Sequence, residues 1–109
     1  AFIAGSVISF FTGSSWGTFA ICIPIAVPMA YSFTGGQLGT LVYAAVGAVV
    51  SGGLFGDHCS PVSDTTVLSS LGAACDHIDH VRTQLPYALL AAAVSIILWI
   101  VVALVGGAV

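Results

Sequence analysis

Gly56-Asp57-His58-Cys59-Ser60-Pro61-Val62-Ser63-Asp64-Thr65-Thr66 is a polar run set between apolar ones. Before it stands Leu38 to Phe55, with Leu41-Val42-Tyr43-Ala44-Ala45-Val46 at its heart. After it, beyond a hydroxyl-rich segment and a charged one, comes Pro86 to Val109. A helix that crosses a bilayer needs roughly 20 mostly apolar residues, with a working range near 17 to 25. Pro86 to Val109 meets that length easily. Leu38 to Phe55 meets it too, although Gly52 and Gly53 weaken its C-terminal end as a helix. The polar run therefore reads as an interruption between membrane-embedded helices.

The whole composition agrees. Of 109 residues, 59% are hydrophobic and 5% charged, and the mean hydropathy is +1.16. A soluble domain carries roughly 25% charged residues, and this chain has too few to cover a surface in water. Lipid solvates apolar side chains directly and requires only that the backbone be satisfied internally, which favours helices. The fold class is all-α integral membrane, multi-span and helical. Four Asp stand against the single Arg82, with no Lys and no Glu, for a formal charge of −3. That balance argues against nucleic acid or an anionic lipid surface as a partner. Cys22, Cys59 and Cys75 are odd in number and form no C-x-x-C pair, so they read as small buried thiols rather than a disulfide framework or a zinc site. There is no nucleophile with a matched base and no phosphate-binding glycine loop, so nothing points to an enzyme or a resident cofactor. The chain opens at Ala1 inside an apolar run, and it reads as an excerpt from a longer protein.

Two shorter apolar stretches, Ala1 to Phe11 and Phe19 to Phe33, flank Thr12-Gly13-Ser14-Ser15-Trp16-Gly17-Thr18. That spacer is too apolar for an ordinary aqueous loop. Either the stretches form one helix broken in the middle, or they form a re-entrant hairpin. Irregular backbone within a membrane is tolerated where protein or a water cavity satisfies it. Pro24 and Pro28 each remove a backbone donor from the second stretch and are expected to kink it. Downstream, Thr65 to Ala74 is too short to cross a bilayer and reads as a half-helix, with Ser63 and Asp64 both suited to its N-cap. Asp76 to Thr83 gathers most of the remaining charge and belongs at an aqueous edge. Pro86 fits the first turn of the final helix.

Two breaks thus carry the chemistry. In the second, about 56–64, Asp57 and Asp64 flank Pro61 among Ser60, Ser63, Thr65 and Thr66, which is an all-oxygen donor set suited to a hard cation such as sodium. An Asp at the centre of a membrane helix costs about 2.5–3.5 kcal/mol on insertion scales, so such residues face a cavity or pathway. The helix ending near Phe55 would add the negative end of its dipole, and half-helices facing an unwound segment are how many carriers build midplane sites. Asp64 is the first nominee and Asp57 the second. The plainer alternative is a solvent loop in which Asp64 only caps the following helix. In the first break, about 12–18, the hydroxyls of Thr12, Ser14, Ser15 and Thr18 can complete the coordination. Gly13 and Gly17 can equally serve close helix packing as a G-x-x-x-G pair. His77 and His80 can share a helical face, which permits a transition metal or, because free imidazole titrates near about 6.5, a pH response. A solvated helix edge accounts for them more simply, and no transition metal is expected.

The run Gly56 to Thr66 resembles the signature of the NhaC-type sodium/proton antiporter family. Ser9-Phe10-Phe11-Thr12-Gly13-Ser14-Ser15-Trp16-Gly17-Thr18, followed by Ile23-Pro24-Ile25-Ala26, is similar to that family's second characteristic segment, and Cys75 to Tyr87 also fits. Val62 stands where Ile is expected and Ser14 where Thr is common. The resemblance implies a secondary carrier of the bacterial cytoplasmic membrane, built as an inverted repeat of two halves, exchanging sodium ions for protons. This chain would be part of the C-terminal half, its partners Na+, H+, the lipid bilayer and the remaining half of the same polypeptide. Association of identical copies is compatible with it. The alternatives are a related carrier in which sodium or protons drive a carboxylate or an amino acid, and a non-transporting membrane assembly subunit.

Overall fold

The computed structural model describes residues 1–36 and 39–108, the last three as backbone alone. Five helices follow one another: α1 (Phe2–Thr12), α2 (Ser15–Phe33), α3 (Thr40–Cys59), α4 (Asp64–Gly72) and α5 (His77–Ala108). Among them Ser15–Phe33, Thr40–Cys59 and the segment His77–Val105 are long and apolar enough to cross a membrane. The expected limits Leu38 and Val109 lie outside the described residues.

The close contacts fix the topology. Gly5 of α1 lies against Val49 and Gly53 of α3, Gly52 against Phe2, and Gly56 against Ser6 and Phe10. Residue numbers rise together on the two helices, so α1 runs parallel to α3. Phe19 packs on Gly53, which sets α2 antiparallel to α3. Together these make α1 and α2 a hairpin with its tip at Gly13-Ser14, which selects the hairpin over one broken helix. Trp99 packs on Gly47, and Gln84 bonds the carbonyl of His58, so α5 also runs antiparallel to α3.

Small side chains make this packing possible. Gly52 and Gly56 present no Cβ to α1, and an added one would meet its backbone. Such close approach is how helices associate where lipid offers no hydrophobic drive between them. The interior is accordingly small and hydroxylic: Val49, Thr18, Ser9, Ser60 and Ser63 are the largest fully buried side chains among the described residues. Ser9 Oγ donates to the Gly53 carbonyl at 2.6 Å and Ser60 Oγ to the Phe10 carbonyl at 2.6 Å, tying the C-terminal half of α1 to α3 and to the residue that caps it. Large apolar groups point outward instead; Phe11, Trp16 and Tyr87 are each more than three-quarters exposed. A small apolar cluster of Phe2, Ala48 and Ala92, flanked by Phe55, Ile96 and Trp99, closes the middle.

Several expectations change. Gly52 and Gly53 do not fray α3, which continues to Cys59, because their lack of a side chain is used for contact. The final helix starts at His77 rather than at Pro86, which sits in its interior. Asp76 Oδ1 accepts from the amides of Ile78 and Asp79 and caps that earlier start. Cys22 and Cys59 are buried, whereas Cys75 is exposed in the turn between α4 and α5.

Candidate functional site

Both breaks are shorter than the sequence suggests, and they touch. The first is Gly13-Ser14 alone. Gly13 ends α1 with φ 68, a left-handed conformation that glycine adopts without penalty, and its N–H bonds the Ser9 carbonyl. Ser14 Oγ then accepts from Gly17 N and starts α2. The second break is Ser60-Pro61-Val62-Ser63. A Cβ on Gly13 would lie 2.8 Å from the Val62 carbonyl oxygen, so the hairpin tip rests on the backbone of the second break.

Asp57, in the last turn of α3, stands at one end of a hydroxyl chain whose middle member is Ser63. Ser63 Oγ is 2.6 Å from Asp57 Oδ1 and 2.8 Å from Thr65 Oγ1. With Asp57 ionised, Ser63 has one proton and gives it to the carboxylate, so Thr65 must donate to Ser63. With Asp57 protonated, the chain can run the other way. This is a relay whose polarity reports the protonation of the acid. Ser63 is fully buried, while Thr65 is exposed. Asp57 and Thr65 also line a recess of about 570 Å³, walled by Ala88, Ala91, Ala92 and Ser95 of α5.

Asp64 stands apart from this cluster. It is the exposed first residue of α4, and its Oδ1 accepts from Thr65 N at 2.9 Å. The helix dipoles separate the two acids further. Asp64 sits at the positive N-terminal end of α4, where a carboxylate is already compensated. Asp57 sits at the negative C-terminal end of α3, where a carboxylate adds to the carbonyl charge and a cation is favoured.

The freed carbonyls are mostly engaged. Asp57 O accepts from Ser60 N; His58 O takes Gln84 Nε2 at 2.6 Å and Thr66 Oγ1 at 3.3 Å. Pro61 O takes His77 Nε2 at 2.6 Å, and Phe10 O takes Ser60. The oxygens left for other partners in this region are therefore chiefly on side chains, those of Asp57, Ser63 and Thr65 among them. Ser60 and Thr66 are buried and hold backbone together. In the first break, Thr12 donates to Ile8 O, Thr18 donates to Ser14 O, and Ser15 is buried. Their donors hold the hairpin, though the lone pairs of Thr12 and Thr18 remain.

Sequence reasoning missed Gln84 and the reach of His77. His77 lies on α5, but its ring turns back to Pro61 and to Ser70 rather than toward His80. Gln84 stands at the polar, N-terminal end of the α5 apolar run and reaches the break from there. A second recess, about 440 Å³ between α1, α2 and α3, is lined by Ala, Ile and Phe side chains among others and offers no cluster of oxygen donors.

Comparison with known proteins follows the same line. Residues 1–104 match the model of the Na+/H+ antiporter family. An uncharacterized protein of Haemophilus influenzae is 52% identical over 93% of this chain and 19% of its own length. The malate-2H(+)/Na(+)-lactate antiporter of Bacillus subtilis is 37% identical over 94% of this chain and 21% of its own. The Na(+)/H(+) antiporter NhaC of Alkalihalophilus pseudofirmus is 34% identical over 88% and 20%. The chain thus spans about a fifth of the length of the curated relatives it matches. No solved structure matches.

Proposed function

The chain belongs to the Na+/H+ antiporter family, and from that premise we propose that it supplies the cation-binding acid of a sodium/proton exchanger, with Asp57 as that acid. The observation that carries the reading is the Thr65-Ser63-Asp57 relay, set where two backbone breaks meet and opening on the recess beside α5.

A cation beside a carboxylate favours its charged form, and a proton on the carboxylate removes the charge that attracts the cation. Sodium and proton then exclude each other at one group. Sodium would draw on Asp57 and the lone pairs of Ser63 and Thr65; the proton would reverse the relay. If the carrier turns over only with the site occupied, this exclusion yields exchange. Asp64, Ser60 and Thr66 surround the site, and the upstream hydroxyls Thr12, Ser14, Ser15 and Thr18 support its floor. The parent protein would lie in the bacterial cytoplasmic membrane, with the rest of the polypeptide closing the recess.

A second reading has one observation in its favour: a relative named for exchange of malate and lactate is as similar as the one named for sodium and protons. In that reading the same Asp57 binds the coupling ion, and the organic solute binds elsewhere in the parent. The test is sodium-driven proton movement in sealed vesicles carrying the full-length parent. Asp57→Asn is expected to abolish it, and Asp64→Asn to leave at least half the rate. Exchange that survives in Asp57→Asn at the wild-type sodium dependence removes Asp57 from the mechanism. Exchange that appears only with an added carboxylate or amino acid selects the second reading.

A further inference from the structure

The charged start of α5 is where the sequence places a solvated edge, yet two of its side chains reach back to the break. His77 Nε2 is 2.6 Å from the Pro61 carbonyl, sixteen positions earlier in the chain. Its other nitrogen, Nδ1, is 3.4 Å from Ser70 Oγ; with the proton on Nε2 it is an acceptor for that hydroxyl, which shares its one proton between Nδ1 and the Val67 carbonyl. The ring is thus fixed between α4 and the break. Two turns along, Gln84 Nε2 is 2.6 Å from the His58 carbonyl, the residue after Asp57. Pro61 and His58 bracket Ser60, so α5 holds the break on both sides of its first residue.

We propose that His77 and Gln84 are positioning residues for the cation site, clamping the break so that Asp57, Ser63 and Thr65 stay within reach of one ion. The inference rests on the function proposed above and adds a mechanical link to it. Neither side chain belongs to the Asp57-Ser63-Thr65 relay; His77 grips the Pro61 carbonyl, and Gln84 grips the His58 carbonyl at 2.6 Å, closer than the 3.3 Å bond that this carbonyl also accepts from Thr66. Within the break Ser63 N bonds the Ser60 carbonyl, whereas the Pro61 carbonyl takes its donor from outside it, the His77 ring. The consequence is that α5 and the ion site move as one body. A shift of α5 along α3 during turnover would be felt at Asp57 through two hydrogen bonds.

The test uses the full-length parent in proteoliposomes, reading half-saturating sodium and maximal exchange rate separately. His77→Ala and Gln84→Met each remove one donor. Each is expected to raise half-saturating sodium about fivefold, as for the loss of one net hydrogen bond, with the maximal rate at saturating sodium kept within about twofold. His77→Gln restores an N–H of similar reach and is expected to recover most of the affinity. A merely structural role would lower protein abundance and leave half-saturating sodium unchanged in the protein that remains; that result overturns the proposal, as does a His77→Gln variant no better than His77→Ala at equal abundance. Should His77→Ala fail to accumulate, Gln84→Met decides by the same criterion. Binding of 22Na+ to purified protein separates this proposal from the one it rests on. If wild type and Asp57→Asn bind 22Na+ equally, the assignment of Asp57 fails, whatever the His77 variants do.

Discussion

Gly56→Ala tests the packing that brings the two breaks together. A Cβ at Gly56 would collide with the Ser6 carbonyl and lie 2.9 Å from both Phe10 N and Ser9 Cβ. Two of these three atoms are backbone, so no side chain can rotate away and α1 must retreat from α3. Overpacking of this kind costs about 1–3 kcal/mol. The retreat also stretches the Ser9–Gly53 and Ser60–Phe10 bonds on either side, each with a net worth of about 0.5–1.5 kcal/mol. With overpacking at about 2 kcal/mol and about half of each bond lost, the total of about 3 kcal/mol corresponds to roughly two powers of ten in the opening equilibrium. Cys59 reports it, since it is 4% exposed and lies one turn from Gly56. In the full-length parent with every other cysteine replaced, maleimide labelling of Cys59 is expected to accelerate about 100-fold in Gly56→Ala, because labelling tracks the open population when reclosing is fast. Gly72→Ala is the control: a Cβ there meets nothing within 4 Å, and labelling should match the wild type. Wild-type labelling in Gly56→Ala would refute the parallel contact of α1 with α3.

Three further outcomes follow from the same geometry. Gly13→Ala places a Cβ in a left-handed conformation that disfavours it by about 1–2 kcal/mol and 2.8 Å from Val62 O, so it should raise half-saturating sodium and lower the thermal midpoint together. Ser60→Ala leaves the Phe10 carbonyl without its 2.6 Å donor and should cost about 1–3 kcal/mol, read as a lower midpoint in detergent. Ser14→Ala removes only the cap on Gly17 N and should cost about 1 kcal/mol while half-saturating sodium stays at the wild-type value; a selective loss of sodium affinity would assign Ser14 to coordination instead.

The helical membrane class was legible because composition and apolar run length are local properties of the chain. Both breaks were visible for the same reason: Gly13 and Pro61 interrupt helices by their own chemistry. Their limits were not, since Gly56 to Cys59 look like loop residues until α1 is packed on them and Gln84 and Thr66 take up the His58 carbonyl. The different settings of the two acids were hidden as well: the sequence favoured Asp64 over Asp57, and only the fold shows Asp57 at the negative end of α3 and Asp64 at the positive end of α4. His77 appeared as half of a His pair because spacing within α5 is all that the sequence shows. Its bond to Pro61 depends on how α4 folds back between them.

The central claim is that sodium and proton compete for Asp57. Sodium added to the purified full-length parent in weakly buffered detergent solution, at each of a series of starting pH values, should displace a proton where one is bound, and a pH electrode or indicator dye reads the release directly. The account predicts saturable proton release in the wild type and none in Asp57→Asn. Sodium binding without proton release, or release that persists in Asp57→Asn, would contradict it.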